Sequence, residues 1–128
     1  MSFDLAIWKR SATTKTAMLA EVYAAICDGQ TAHPAITTFD LAELEAALKA
    51  EFGDYTKEPD MFGCPIQCER GASDSGSWLI AHCEHSAAGD VSSRVIPIAL
   101  DRGLLVYDPQ RQTVWGNKRP PKNKAADK

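Results

Sequence analysis

Two short segments near the ends of the chain, SFDLAIWKR at 2–10 and GLLVYDPQRQTVWG at 103–116, constrain the fold more than anything between them. In the first, Phe3, Leu5 and Ile7 alternate with Asp4, Ala6 and Trp8, the period of two expected of a strand with one face buried. In the second, apolar runs at 104–107 and 113–115 flank DPQRQ, where Asp108 and Pro109 favour a turn, so the spacing predicts a closing hairpin. A last strand returning antiparallel beside the first would close one domain. At 128 residues a single core is the expectation.

Between these strands, Met18, Val22 and Ile26 recur every four residues beside Leu19 and Tyr23, which predicts a helix over 13–28 capped by Thr13 or Thr14 and stopped at Gly29. The run GQTAHPAITT has no period and reads as a connection. Thr38 then caps a second helix with Asp40 in its first turn, with Leu41, Leu44 and Leu48 on one face and Gly53 at its end. Residues 54–75 are punctuated by Pro59, Gly63, Pro65 and Gly71 and read as a loop with a short edge strand around 66–69. SWLIAHCE at 77–84 sets Trp78, Ile80 and His82 on one face and Leu79, Ala81 and Cys83 on the other, as a central strand would. Asp90 caps a third helix carrying Val91, Val95, Ile98 and Ala99, and Pro97 inside it predicts a kink or a late start.

The order β, α, α, β, β, α, β, β predicts an α+β fold: a mainly antiparallel sheet of about four to five strands with helices packed on one face, a split βαβ or ferredoxin-like variant. Residues 1–117 form the single domain. The remaining 118–128, with five Lys or Arg against one acid and two prolines, form a basic tail expected to be disordered, which leaves a body of net charge −7. That acidic body favours encounter with basic partners and argues against nucleic acid. No apolar run reaches the roughly 18 residues of a membrane span, and Asp4 before the first apolar stretch with Lys9 and Arg10 after it is the reverse of a secretory signal. A cytoplasmic protein with reduced thiols at Cys27, Cys64, Cys68 and Cys83 is therefore the expectation, with no membrane partner.

Three constellations could carry chemistry. Cys64 and Cys68, with three residues between them, and the HCEH of His82, Cys83 and His85 supply enough zinc ligands. Their spacing is poor for zinc, because His82 and Cys83 would point to opposite strand faces and the usual knuckle has two residues between cysteines. Cys83 and His85 would lie about 7 Å apart on a continuing strand, too far for one to activate the other. Small core thiols and no bound metal or cofactor are the expected outcome. Asp4 and Asp108 are expected at the same sheet end, where two acids could share a proton or hold a ligand, although local turn bonding also accounts for them. There is no nucleophile elbow, phosphate loop, dinucleotide fingerprint or HExxH.

Met1, Ser2, Phe3, Asp4, Leu5, Ile7 and Trp8, with Gly103, Leu104, Tyr107, Asp108, Pro109 and Gln110, resemble small bacterial proteins that begin M-S-[FY]-D-L-x-[VIF]-W and end with G-L-x-x-[YF]-D-P-Q after a helix. The matches span about a fifth of the chain and leave CPIQC and HCEH aside. Several members resemble immunity proteins encoded beside polymorphic or secreted antibacterial toxins, so the resemblance implies a non-catalytic protein that neutralises a cognate toxin by direct contact. It carries over no catalytic residue. The irregular stretch with Asp54, Tyr55, Glu58, Asp60 and Phe62, together with Glu69 and Asp74, is the expected partner face, being rich in acids and aromatics. Two other functions compete: a small zinc or thiol module on Cys64, Cys68, His82, Cys83 and His85, and a structural domain with a small-ligand site at the Asp4–Asp108 end.

Overall fold

A computed structural model of the chain describes residues 2–10, 16–31, 33–53, 66–74 and 76–116. The alternating N-terminal segment is β1 (Ser2–Arg10), and it runs through the middle of the sheet. On one side it pairs antiparallel with β4 (Ser77–Glu84), in a register that sets Asp4 opposite His82 and Trp8 opposite Trp78. On the other it pairs antiparallel with β5 (Leu104–Asp108), Ala6 opposite Tyr107. The margins are β3 (Gln67–Ala72) beside β4 and β6 (Thr113–Trp115) beside β5, giving the order β3-β4-β1-β5-β6. A two-residue strand, β2 (Ile36–Thr37), adds to the far end of β1 within the connection that the sequence left without a period.

All pairings are antiparallel, so β1 and β3 run parallel with β4 between them, and β4 and β5 run parallel with β1 between them. That is the split βαβ arrangement of an α+β protein, and the sequence order alone pointed to it. The sheet has six strands once the short β2 is counted.

The helices do not share one face, contrary to expectation. On one side α2 (Leu41–Phe52) and α3 (Ala88–Leu100) bring Leu44, Leu48, Val91 and Val95 onto Phe3, Leu5, Ile7, Leu79 and Val106. On the other, α1 (Leu19–Cys27) lays Leu19, Val22 and Ile26 over Ala6, Trp8, Ile80 and Leu105. The physical reason lies in β1, β4 and β5, whose residues are apolar on both faces; each such side chain is worth roughly 1.5–3 kcal/mol when covered, so both faces must be roofed.

Helix boundaries follow side-chain reach. Asp40, and not Thr38, caps α2: its Oδ1 accepts the Glu43 N–H at 3.0 Å, whereas Thr38 lies two residues too early to reach the first turn. α1 follows a 3₁₀ turn at Thr16–Met18, so regular helix begins later than 13, and the expected threonine cap lies outside the described residues. α3 begins early, at Ala88 behind a 3₁₀ turn at His85–Ala87, which makes Asp90 a first-turn acid paired with Arg94 at 3.0 Å and not the cap. Pro97 is accommodated in the last turn of α3, where Asp101 N–H still donates to the Pro97 carbonyl at 2.9 Å.

The join between β3 and β4 depends on the absence of a side chain. Gly71 sits opposite Trp78, and a Cβ there would fall 2.5 Å from the indole. Trp78 is thereby free to lie flat under α1 and donate from Nε1 to the Gln30 carbonyl at 3.1 Å.

Candidate functional site

The YDPQ segment reaches Asp4 through Gln110, and not as a pair of acids. Asp108 is fully buried at the end of β5 and takes its hydrogen bonds locally: from the Gln110 N–H at 2.9 Å, Gln110 Nε2 at 2.5 Å, Arg111 N–H at 3.2 Å and Arg111 Nε at 2.9 Å. A buried carboxylate needs such a set of donors to offset its lost hydration. The turn so fixed aims Gln110 back at β1, where its Oε1 accepts the Asp4 N–H at 2.8 Å and its Nε2 donates to the Asp4 carbonyl at 2.9 Å. One side-chain amide thus completes the strand pairing that β5 leaves off, and Arg111 lies 5.7 Å over the Phe3 ring on the same side. Asp4 and Asp108 do share a sheet end, but alternation sends their side chains to opposite faces. They form no joint ligand site.

The Asp4 side chain instead faces α1, where the register puts it against His82. His82 Nδ1 lies 2.6 Å from Asp4 Oδ1, and His82 Nε2 lies 3.1 Å from Glu69 Oε2 on β3. Three neighbouring strands are tied by one imidazole. Nε2 is shut off from solvent, and its approach to Glu69 is an ion-pair contact without the alignment of a hydrogen bond. Tyr23 of α1 stands close by. Its phenol is pushed well above the ordinary tyrosine range by burial first, then by its hydrogen bond to Cys27, then by the negative charges of Cys27, Asp4 and Glu69.

Cysteine and histidine chemistry is dispersed by the same alternation. Cys83 faces α2 and α3, buried beside Leu79 and Ala81, while His82 faces α1. Burial, and secondarily the carboxylates of Asp4 and Glu84, push the Cys83 thiol up, so it is held protonated. His85 leaves the strand in the 3₁₀ turn and stands edge-on to Phe3 at 6.3 Å. Cys64 lies outside the described residues, and among those described no three His, Cys, Asp or Glu gather to hold a metal.

Of the expected partner face, Asp54, Tyr55, Glu58, Asp60 and Phe62 lie outside the described residues, as does the tail 118–128. Glu69 and Asp74 are both exposed, Glu69 on the marginal strand β3 and Asp74 in the turn that leads to β4. Gln67, Arg70, Ala72 and Ser73 are exposed beside them, so β3 presents a polar rim over most of its length. Elsewhere a shallow cavity lined by Phe39, Asp40, Glu43, Leu44, Arg102 and Leu104 is closed at its charged wall, because Arg102 is already forked onto Glu43 at 2.7 and 3.0 Å.

Sequence reading missed the Asp4–His82–Glu69 line. Asp4 and His82 are visible as polar residues on otherwise apolar strand faces, but only the register of β1 on β4 places them opposite each other. No family model, curated protein or solved structure matches the chain.

Proposed function

We propose that this chain is a non-catalytic binding protein that neutralises a cognate bacterial toxin in the cytoplasm by direct protein–protein contact. Glu69 and Asp74, on and beside β3, belong to the partner face, and Asp54, Tyr55, Glu58, Asp60 and Phe62, which precede that strand in the sequence, are assigned to it by their acids and aromatics. The observation that carries the reading is the division of labour between the two margins. Asp4, Asp108 and Gln110, residues on which the resemblance to immunity proteins rests, are spent on bonding β5 to β1. The polar β3 rim, with Glu69 and the neighbouring Asp74, is left exposed on the other side. An inhibitor needs such a scaffold plus a charged, complementary patch that speeds encounter with a basic toxin. Burial of the Cys83 thiol works against the competing thiol-enzyme reading.

The experiment is capture of the tagged protein's partner from its host, identification by mass spectrometry, and a protection assay in cells that express that partner. The wild-type chain should rescue growth, and the E69K/D74K double variant should lose rescue while remaining folded by circular dichroism. Rescue undiminished by charge reversal at Glu69, Asp74, Glu58 and Asp60 together would overturn the assignment of the face. A captured partner that is not toxic to cells, or capture of none, would overturn the immunity reading itself.

A further inference from the structure

An imidazole that faces a carboxylate with each nitrogen is in a different position from one that faces a carboxylate with one. His33 shows the ordinary case: its Nδ1 accepts the Ala35 N–H at 3.0 Å, leaving a proton on Nε2 for Glu21 at 3.2 Å, so the neutral ring is satisfied on both sides. His82 has no such solution. Nδ1 meets Asp4 Oδ1 at 2.6 Å and Nε2 meets Glu69 Oε2 at 3.1 Å, and both neighbours are acceptors only when ionised. A neutral ring owns one N–H. With that proton on the shorter, better-aligned Asp4 contact, the Nε2 lone pair is turned on the Glu69 carboxylate in a spot closed to water.

We propose that Asp4, His82 and Glu69 form a proton-dependent clamp that fastens the marginal strand β3 to β1 across β4. It is engaged while the His82 ring carries both protons and opens on the Glu69 side when the ring loses one. Every element packed on the ring contributes to this behaviour. β1 supplies the Asp4 carboxylate, β3 the Glu69 carboxylate, and α1 the Tyr23 phenol, which burial holds neutral, with Cys27 hydrogen-bonded to it. Among the described residues no lysine or arginine pairs with Asp4 or Glu69, so the imidazolium is the cation that neutralises them. The Glu69 side chain is 67% exposed, whereas that of Asp4 is 22% exposed, which is why the Glu69 half is the half that lets go. β3 is also the strand with least to lose, because it is paired with β4 alone among the described strands and most of its side chains are exposed.

The sign follows from proton counting. The folded clamp holds a proton that the neutral ring gives up, so its stabilisation is present on the acid side and lost as pH rises. Two measurements on the intact protein test this. In long-range ¹H–¹⁵N spectra of the histidine rings, His82 should pass from the doubly protonated form to the Nδ1–H tautomer as pH rises. Over the same interval, amide exchange protection factors of Gln67–Ala72, corrected for intrinsic base catalysis, should fall roughly two- to five-fold, the range open to a partly exposed ion pair. Those of Leu104–Asp108 should not change. The E69Q variant, whose amide oxygen at an exposed site leaves folding intact, should start with the lowered β3 protection and show no pH dependence. Protection in β3 that is flat with pH, a pH dependence retained in E69Q, or a neutral His82 in the Nε2–H tautomer would each overturn the clamp.

Discussion

Asp4 is held at both ends of its own residue, and the two holds are unlike each other. Its backbone is held by Gln110, a neutral amide whose geometry is set by the buried Asp108. Its side chain is held by His82, whose other nitrogen is closed to solvent against the mostly exposed Glu69 side chain. The β5 side is fixed by a turn built on the fully buried Asp108 and closed by the exposed Gln110 amide, while on the β3 side Glu69 is the exposed group that water or a partner can replace.

The sharpest way to break that contrast is D108A, which removes the buried acceptor shared by four donors of the turn. It should cost about 3 kcal/mol in urea unfolding, as loss of a buried, bonded carboxylate does. A cost under about 1 kcal/mol would show that the turn does not depend on Asp108. G71A tests the opposite margin through packing alone. With the indole of Trp78 in the path of the new methyl, about 2 kcal/mol is expected, together with a shifted Trp78 indole N–H resonance. Q110A removes two hydrogen bonds to β1 without touching charge, and the melting curve should report a loss of about 1–2 kcal/mol that is the same at pH 5.5 and pH 8. E69Q should be smallest, under about 1 kcal/mol, and should fade as pH rises. If Q110A proved pH-dependent and E69Q did not, the roles given to the two margins would be reversed.

How much of this could be read beforehand depends on the range of the interaction. The strands at the two ends, the central strand at 77–84, the closing hairpin and the split βαβ order follow from alternation, turn residues and spacing, all of which are local. The second face was missed although its signal was present: Trp8, Trp78, Ile80 and Leu105 occupy the positions that α1 covers, and counting apolar residues on both sides of β1 and β5 would have demanded a helix there. The capping by Asp40 was legible as an Asp three residues before Glu43, yet Thr38 competed with it. The Gln110 bracket and the His82 clamp were not legible, because the first spans 106 residues and the second 78, and each exists only once a strand register is fixed. Cys83 and His82 were correctly expected on opposite faces, since that follows from the strand period alone.

The functional account stands or falls on the β3 margin. The most direct measurement is titration calorimetry of the purified chain with the partner captured from its host, for wild type, E69K/D74K and Q110A. The account predicts that charge reversal on the margin weakens binding by about tenfold or more, with the losses concentrated at low salt, while Q110A lowers stability and leaves affinity unchanged. Equal affinity for wild type and E69K/D74K, or a loss confined to Q110A, would contradict it and move the partner face to the β5 side of the sheet.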